Sequence, residues 1–431
     1  MKIVSSKVFR KELLDQLLNR GKSDLSAISS SVKTIVDNVK ENGDAALLEY
    51  TEKFDNVELT QSRLKVAESE IKAAYSKLQK SQVEALKKAA ENIAAFHKKQ
   101  FREKWTMTAA EGVTLGQVVR PLESVGVYAP GGKAAYPSSV LMCAVPARVA
   151  GVENVVVCSP PTTGGDVNPA LLVAADLAKV DAVYRVGGAQ AIAAMAYGTG
   201  TVQKVDKIVG PGNVYVTAAK IQVNKDIAID IPAGPSEVLV IADETANPTF
   251  VASELLAQAE HDPQAWAILV TSSETLANKV NLEVEKQMTS LSRTKIIESS
   301  LRKGGIIVTV KDINEAIELS NIIAPEHLQI QTENPQQVLE KIRNAGAIFL
   351  GKYSPVAFGD YSAGLNHVLP TAGYAKMYSG LSSLDFIKTM NFIQCTKEGY
   401  QNLKDTAETI ADMEGFDAHS RSVSIRGEKK K

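Results

Sequence analysis

The sequence predicts an α/β fold made of two Rossmann-like but incomplete domains, one inserted in the other, with a helical N-terminal arm and a helical C-terminal tail. From about residue 124, short runs rich in β-forming residues alternate with alanine-rich helical stretches. This alternation is typical of a parallel sheet with helices on its faces. Glycine and proline mark the turns between the runs. A length of 431 residues is enough for several domains.

Up to residue 100 the pattern is helical. Residues 5–60 predict short helices with polar joints. Residues 66–100 predict one long amphipathic helix, because apolar side chains recur there at helical spacing. His97 lies at the end of that helix beside two lysines, so we expect it to be solvated and without a role.

The β-rich runs end before Gly380. They are 155–158, 182–186, 205–209, 227–231, 238–242, 267–271, 306–310, 328–331 and 347–350. The predicted domains are an arm of residues 1–25, a first α/β domain of 26–125 and 237–380, an inserted α/β domain of 126–236, and a tail of 381–431. The tail is too short to hold much core, so we expect it to pack on another surface.

Composition excludes several classes of partner. The net charge is −1, from 48 basic and 49 acidic residues, which favours neither nucleic acid nor an anionic membrane. No run reaches transmembrane length, and the first ten residues lack the apolar core of a signal peptide. Three cysteines without metal or disulfide spacing suit a reducing compartment, so we expect a cytoplasmic protein.

The end of one predicted helix could hold a ligand. Asn247 can cap this helix, Pro248 fits its first position, and Pro263 disfavours its continuation. Gln258 and His261 are three residues apart and would project from one helical face. An imidazole beside an amide oxygen can bind a metal or a polar ligand, although a helix end whose polar groups meet water would look the same.

Three other histidines lie in stretches rich in Gly, Pro, Asp or Glu. Glu326 and His327 lie at the start of a predicted strand, where a carboxylate and an imidazole can serve as general acid and general base. Asp360 and His367 belong to a loop with two glycines, and Glu414 and His419 belong to the tail. A set made of Gln258, His261, Asp360 and His419 suits zinc or a similar ion better than magnesium. The alternatives are a capping or surface pair at Glu326 and the absence of a shared metal site, because only Gln258 and His261 of the four proposed ligands are close in sequence.

Glycine-rich turns end several β-like runs of the inserted domain. They are 128–133, 187–190 and 210–214. Such turns allow backbone N–H groups to approach phosphates. No G-x-G-x-x-G occurs in the chain, so a nucleotide site and ordinary tight turns both remain open.

Taken together, these stretches resemble the histidinol dehydrogenase family in order from Gly126 to Arg426. The matching motifs are Gly126-Val-Tyr-Ala-Pro-Gly-Gly-Lys133, Val186-Gly-Gly-Ala-Gln-Ala-Ile192, Val209-Gly-Pro-Gly-Asn213, Ile231-Pro-Ala-Gly-Pro-Ser-Glu237, Leu255-Leu-Ala-Gln-Ala-Glu-His-Asp-Pro263, Ala324-Pro-Glu-His-Leu328, Phe358-Gly-Asp-Tyr-Ser-Ala-Gly364 and Glu414-Gly-Phe-Asp-Ala-His-Ser420. The first 120 residues resemble the family only in length and helical character.

The resemblance implies oxidation of L-histidinol to the aldehyde and then to L-histidine, the last step of histidine biosynthesis, with one zinc per subunit and two NAD consumed in turn. It implies a homodimer whose exchanged tails complete each active site. Residue by residue, the resemblance makes Glu326 and His327 the bases and makes His367 a further substrate or supporting residue. The zinc ligands would be Gln258, His261, Asp360 and His419, the substrate would contact these and Ser236, His327 and Glu414, and NAD would meet Tyr128, Gln190 and Asn213.

This chemistry suits the residues. His327 would take the hydroxyl proton as hydride leaves, and Glu326 would then activate water against the aldehyde. Cys143 and Cys158 have no adjacent base in sequence, so we assign no thiol nucleophile. A zinc-dependent hydrolase would use the same ligands without NAD, and a nucleotide-binding module would leave the polar histidine stretches unexplained.

Overall fold

The computed structural model describes residues 1–20, 22–131, 135–231 and 234–427. Some residues of the motifs above lie outside the described residues: Gly132, Lys133, Pro232, Ala233 and the lysines 429–431. Contacts divide the chain into two compact units. The first is Met1–Gln100 with Leu122–Phe386, and the second is Phe101–Pro121 with Ile387–Lys431.

The strands are numbered in chain order. They are β1 (Lys2–Ser5), β2 (Trp105–Ala110), β3 (Val113–Pro121), β4 (Ser124–Tyr128), β5 (Asn154–Ser159), β6 (Ala182–Arg185), β7 (Lys207–Val209), β8 (Ala228–Ile229), β9 (Glu237–Ala242), β10 (Trp266–Thr271), β11 (Gly305–Thr309), β12 (His327–Gln331), β13 (Ala347–Leu350) and β14 (Ile387–Cys395).

The helices are numbered in the same way. They are α1 (Ser6–Glu12), α2 (Leu14–Leu18), α3 (Lys22–Asn42), α4 (Asp44–Asp55), α5 (Gln61–Leu64), α6 (Glu68–Ala74), α7 (Lys80–Lys98), α8 (Pro137–Ala150), α9 (Pro169–Leu177), α10 (Gly188–Tyr197), α11 (Val214–Val223), α12 (Pro248–Ala259), α13 (Glu274–Met288), α14 (Thr294–Gly304), α15 (Ile313–Ile323), α16 (Pro335–Leu339), α17 (Val356–Tyr361), α18 (Lys397–Met413) and α19 (Asp417–Ser424). Among the described residues, no helix is both long and apolar enough to cross a membrane.

A six-stranded parallel sheet of order β1-β11-β10-β9-β12-β13 lies in the first unit. All residues of β9 and β10 are buried, because helices cover both faces of the sheet. One face packs on α1, α2 and α15, and the other packs on α12, α13 and α14. The predicted α/β class with parallel sheets is therefore confirmed.

A five-stranded parallel sheet of order β6-β5-β4-β7-β8 belongs to the same unit. Helices α3, α4, α10 and α11 share the core of this sheet. The predicted domains had instead placed residues 26–125, which include α4 and most of α3, with residues 237–380. Helices α7, α8 and α9 pack on one another, and α8 also contacts β4 and β5. Because both sheets lie in one compact unit, the domain boundaries stay a prediction.

The second unit contains an antiparallel sheet of order β14-β3-β2 and the helix pair α18–α19. Gly112 turns the chain between β2 and β3 with a φ of +74°, and a Cβ there would lie 2.5 Å from the backbone nitrogen of Gly399. A side chain is excluded at this turn for both reasons.

Several element predictions are confirmed and three are wrong. The predicted runs between 155 and 350 correspond to β5–β13, shifted by a residue or two at the ends. The helix predicted over 66–100 is two helices, because a 3₁₀ turn at Tyr75–Lys77 and an extended Gln79 interrupt it. Strand β1 precedes the helical arm, and β14 opens the tail that was expected to be without strands. Both were missed because they are edge strands that expose most of their residues, so no continuous apolar run marks them.

Candidate active site

A cavity of about 490 Å³ lies in the first unit between the edges of the two sheets. The six-stranded sheet contributes its amino edge, where β9 and β12 begin, and the five-stranded sheet contributes its carboxyl edge, just beyond β4 and β7. Most residues predicted from the sequence line this cavity: Asn213, Ser236, Gln258, His261, Glu326, His327, Asp360 and His367.

The end of α12 brings Gln258 and His261 to the cavity wall. Asn247 caps the helix through a 2.9 Å hydrogen bond from the Thr249 N–H, and Pro248 occupies its first turn, as predicted. The helix ends at Ala259, however, so His261 is not on its face as expected. The His261 N–H donates to the Gln258 carbonyl at 3.3 Å, and this tight turn keeps both side chains on the same cavity.

Glu326 and His327 form a buried carboxylate–imidazole pair at the start of β12. Glu326 Oε2 lies 3.7 Å from His327 Nδ1, and it accepts the Glu237 N–H at 2.8 Å. On the other side of the ring, His327 Nε2 lies 3.5 Å from Asp360 Oδ1 and has no hydrogen-bond partner among the described residues. Nε2 therefore faces the Asp360 carboxylate, with which the ring forms an ion pair when it is protonated.

The carbonyl of Glu237 determines which nitrogen of His327 carries a proton. It lies 3.1 Å from His327 Nδ1 and can only accept, so Nδ1 must be the donor. In the neutral ring, the lone pair is then on Nε2, which faces Asp360 and the cavity. This orientation is the one required for a base that takes a proton from a bound ligand.

Burial and mutual attraction shift both groups. Burial raises the pKa of Glu326 to about 7, although His327 opposes the shift. Burial disfavours the charged form of His327, but the carboxylates of Glu326 and Asp360 outweigh this and raise its pKa to about 9. At a pH between these two values, Glu326 is therefore ionised and His327 is protonated, so the two groups form an ion pair. Both pKa values lie close enough to neutral pH for either group to take part in proton transfer.

His261, Asp360 and Gln258 make up a mixed donor set. Desolvation by the surrounding protein lowers the pKa of His261 although Asp360 opposes this and the residue is exposed, so the imidazole stays neutral. Burial works against ionisation of Asp360, but His327 outweighs it and the pKa of Asp360 is lowered. A neutral imidazole, an ionised carboxylate and an amide oxygen are ligands that zinc accepts, and three protein ligands leave a position open.

Among the residues that the structure describes, no three His, Cys, Asp or Glu side chains are placed to hold a metal ion by themselves. The donor set of the first unit includes the amide of Gln258, which is outside those four types. Its chemistry therefore fits a divalent ion, and the metal assignment stays a proposal.

His367 is held beside Asp360 by two contacts. Its Nδ1 lies 3.1 Å from the Asp360 carbonyl, and the Ser139 hydroxyl lies 3.3 Å from its Nε2. Because the carbonyl must accept from Nδ1, Nε2 accepts from Ser139. Burial lowers the pKa of His367 even against the attraction of Asp360, so this ring remains neutral.

The three residues predicted to meet NAD stand at turns of the five-stranded sheet. Tyr128 ends β4, and its hydroxyl accepts the Gly188 N–H at 3.1 Å. Asn213 caps α11 through its side-chain oxygen and lines the cavity. Gln190 is buried, and its Oε1 has no hydrogen-bond partner among the described residues. Gly210 has a φ of +115° and a Cβ there would lie 2.2 Å from the Tyr128 carbonyl, so only glycine fits between the ends of β4 and β7.

The two tail residues lie in the second unit. Glu414 caps the C-terminus of α18, and His419 belongs to α19. Both side chains are exposed. Their predicted contributions to substrate and zinc therefore stay proposals.

Three residues that surround the candidate site were not predicted from the sequence. Ser139 and Glu237 contact candidate groups directly, and Arg20 binds Glu237. The expectation that His97 is solvated was wrong, because it is fully buried and accepts from Asn366, the neighbour of His367, at 3.4 Å. Glu237 carried a signal, since it is a charged residue at the start of an apolar run. Arg20 carried none.

A buried carboxylate and imidazole with shifted pKa values, facing one cavity of an α/β fold, are typical of enzymes that use acid–base chemistry. Comparison with known proteins agrees with this class and narrows it. The sequence profile of the family described as histidinol dehydrogenase matches residues 18–427.

Individual relatives give the same result. Histidinol dehydrogenase from Clostridium acetobutylicum is 52% identical over 410 residues, which cover 95% of both chains. Histidinol dehydrogenase from Methanothermobacter thermautotrophicus is 52% identical over 413 residues, which cover 96% of both. The crystal structure of histidinol dehydrogenase from Elizabethkingia anophelis superposes with a TM-score of 0.94 at 41% identity and covers 99% of this chain and 98% of that one. This chain belongs to the histidinol dehydrogenase family, and it is an oxidoreductase of histidine biosynthesis.

Proposed function

We propose that the protein oxidises L-histidinol through L-histidinaldehyde to L-histidine, with one zinc per subunit and two NAD consumed per turnover. Family membership supports the substrate. The observation that carries the mechanism is the position of His327, whose Nε2 faces Asp360 and which lines one cavity together with Glu326, Gln258 and His261.

His327 acts in the first oxidation. Its Nδ1 is held by the Glu237 carbonyl, so Nε2 is the atom that takes the hydroxyl proton. The free Asp360 carboxylate stabilises the protonated ring. A divalent ion held by Asp360 would remove this stabilisation and would lower the pKa of His327, so that the neutral ring could act as a base.

Glu326 acts in the second oxidation. A carboxylate whose pKa is raised to about 7 is partly ionised at neutral pH and is basic enough to activate water. Its Oε2 stays fixed by the Glu237 N–H at 2.8 Å. Holding the aldehyde in one cavity for both steps protects it from escape.

Zinc, when bound by Gln258, His261, Asp360 and His419, would orient the substrate and polarise its oxygen, and NAD would accept the hydride. The NAD site rests on Tyr128, Gln190 and Asn213 at the carboxyl edge of the five-stranded sheet. A smaller cavity of about 180 Å³, which shares Pro130 with the larger one, lies at the same edge and supports this placement.

The test is the appearance of NADH absorbance on addition of L-histidinol, with and without zinc. The proposal expects NADH only with both, at two per L-histidine formed. A zinc-dependent hydrolase would release product from an amide or ester without NADH. A nucleotide-binding module would bind NAD without turnover.

We propose no cysteine nucleophile. Cys143 and Cys158 are fully buried, which raises the pKa of both thiols far above the usual value. Replacing all three cysteines with Ala or Ser should leave NADH production within about threefold of wild type, apart from a packing cost that melting will show. A well-folded, zinc-loaded triple variant without turnover would restore the thiol route.

We also propose a cytoplasmic homodimer in which each tail completes the partner's site. Support comes from the tail itself: Glu414 and His419 are exposed, and so are apolar side chains around them, at Ile410, Met413 and Phe416. An isologous dimer would bury such a face and deliver both polar side chains at once.

Mixing two inactive variants tests the shared site. His419→Ala damages the tail, and Glu326→Ala damages the body. In a mixed dimer, one site combines both sound parts, so random reassortment should restore about a quarter of wild-type activity. Size-exclusion and subunit-exchange controls establish that mixed dimers form. Activity that remains at the level of the single variants despite exchange would show that each site is built within one chain.

A further inference from the structure

Glu237, the first residue of β9, contacts both candidate bases at once. Its N–H donates to Glu326 Oε2 at 2.8 Å, and its own carboxylate Oε1 accepts the Glu326 N–H at 3.2 Å. Its carbonyl accepts from His327 Nδ1 at 3.1 Å. The Glu326 carboxylate and backbone and the His327 ring are therefore all oriented by one residue.

The carboxylate of Glu237 is held by Arg20. Both side chains are only 1% exposed. Arg20 binds the carboxylate with two nitrogens, Nε on Oε2 and Nη2 on Oε1, the latter at 2.7 Å. A bidentate Arg–carboxylate pair fixes direction as well as charge, which a lysine cannot do in the same way.

Arg20 also holds the chain that leads into Glu326. Its Nη2 donates to the Ile323 carbonyl at 3.3 Å, at the end of α15, and its Nη1 donates to the Leu17 carbonyl at 2.5 Å. After Ile323 the chain turns through Ala324, a non-glycine residue with a φ of +53°. Arg20 thus binds the Ile323 carbonyl at the start of this turn. It also binds the Glu237 carboxylate, which accepts the Glu326 N–H at the end of the turn.

Charge makes the pair necessary at this place. Without Arg20, the carboxylates of Glu237 and Glu326 would be buried side by side and would repel each other. With Arg20, the buried Glu237 carboxylate has a paired partner and keeps an acceptor directed at the Glu326 N–H. Arg20 therefore allows the Glu237 carboxylate to be buried where it can position Glu326.

We propose that Arg20 and Glu237 are positioning residues for the oxidation: by holding the backbone at Glu326 and at Glu237, the pair positions the Glu326 carboxylate and the His327 ring against the cavity without touching substrate. The inference rests on the proposed function. A buried ion pair that served stability alone would, when replaced by apolar side chains of similar size, leave catalysis by the folded protein unchanged. The positioning role requires turnover to fall even when folding and binding are intact.

The decisive variant is Arg20→Met combined with Glu237→Met, which removes both charges and leaves no unpaired one. We expect a zinc-loaded dimer with cooperative melting, KM values for L-histidinol and NAD within about threefold of wild type, and a kcat lowered by roughly 30-fold or more. Arg20→Lys keeps the charge but loses the bidentate contact, so it is expected to fold and to lower kcat about tenfold at constant KM. If the double variant does not fold, Arg20→Lys alone tests the inference.

Arg148→Gln is the matched control. Arg148 also donates to several carbonyls and an aspartate of the first unit, but it does not line the cavity. It should lower the melting temperature without lowering kcat. A folded double or Arg20→Lys variant with wild-type kcat, or with only a raised KM, would overturn the positioning role. Wild-type protein that produces no NADH from L-histidinol would instead overturn the proposed function, and the positioning role with it.

Discussion

His261→Ala is expected to lose bound zinc while remaining folded. Imidazole is the strongest neutral ligand of the proposed set, and the lowered pKa of His261 keeps its lone pair available at neutral pH. The residue lies in a turn beyond α12 and lines the cavity, so its removal takes little from the core. Metal content per subunit measures the loss, and NADH production should fall at least about 10³-fold if the ion supplies several kcal/mol of catalysis.

The matched control for this prediction is Glu260→Ala. Glu260 is the C-cap residue of α12 and adjoins His261, but it is not a proposed ligand. It should keep its zinc and its turnover. A His261→Ala protein that still binds one zinc per subunit with wild-type affinity would show that His261 is not a ligand.

Glu326→Gln is expected to separate the two oxidations. Glutamine can still accept the Glu237 N–H that binds Glu326 Oε2 at 2.8 Å, but it cannot take a proton. Only the second oxidation needs activated water, so aldehyde oxidation should fall by about 10²- to 10⁴-fold and alcohol oxidation much less. Supplying L-histidinaldehyde directly, and L-histidinol in single turnovers, measures the two steps.

The pH dependence gives an independent measurement of the same role. The active form of Glu326 is the carboxylate, and burial raises its pKa to about 7. Aldehyde oxidation by the wild type should therefore decline as pH falls through about 7, and the variant should lose this dependence. Glu254→Gln is the control, because Glu254 is another buried glutamate with a raised pKa that does not line the cavity. Equal losses in both oxidations would contradict the role of Glu326.

Where a stretch carried its own signal, the sequence was sufficient. The buried runs of β9 and β10 are almost entirely apolar, as in parallel strands covered on both faces, whereas β12 alternates Leu328 and Ile330 with Gln329 and Gln331. The positions of all three strands were predicted within a residue or two. The cap at Asn247 and the start at Pro248 also depend only on neighbouring residues. Edge strands such as β14 lack this signal, because most of their residues are exposed and they contain no continuous apolar run. Pairing with a neighbouring strand decides where they form.

The candidate site shows the same division. The histidines and carboxylates in their glycine-rich stretches could be selected from the sequence, and a family resemblance could be attached to them. The fold alone brought residues of α12, β12 and α17 to one cavity, at the amino edge of one sheet and the carboxyl edge of the other. Most ligand sites of open parallel sheets lie at carboxyl edges, so no rule of sequence would have indicated the amino edge of β9 and β12.

Which nitrogen of His327 faces the cavity was decided by tertiary structure, since it depends on a carbonyl 90 positions away along the chain. The burial that moves the pKa of Glu326 to about 7, and the role of Arg20 beside Glu237, were decided in the same way. The sequence by itself determined which chemical groups are present, where the main elements form and to which family the chain belongs. Proton positions and pKa values depend on distances of a few ångströms between groups far apart in the chain, and only folding sets those distances.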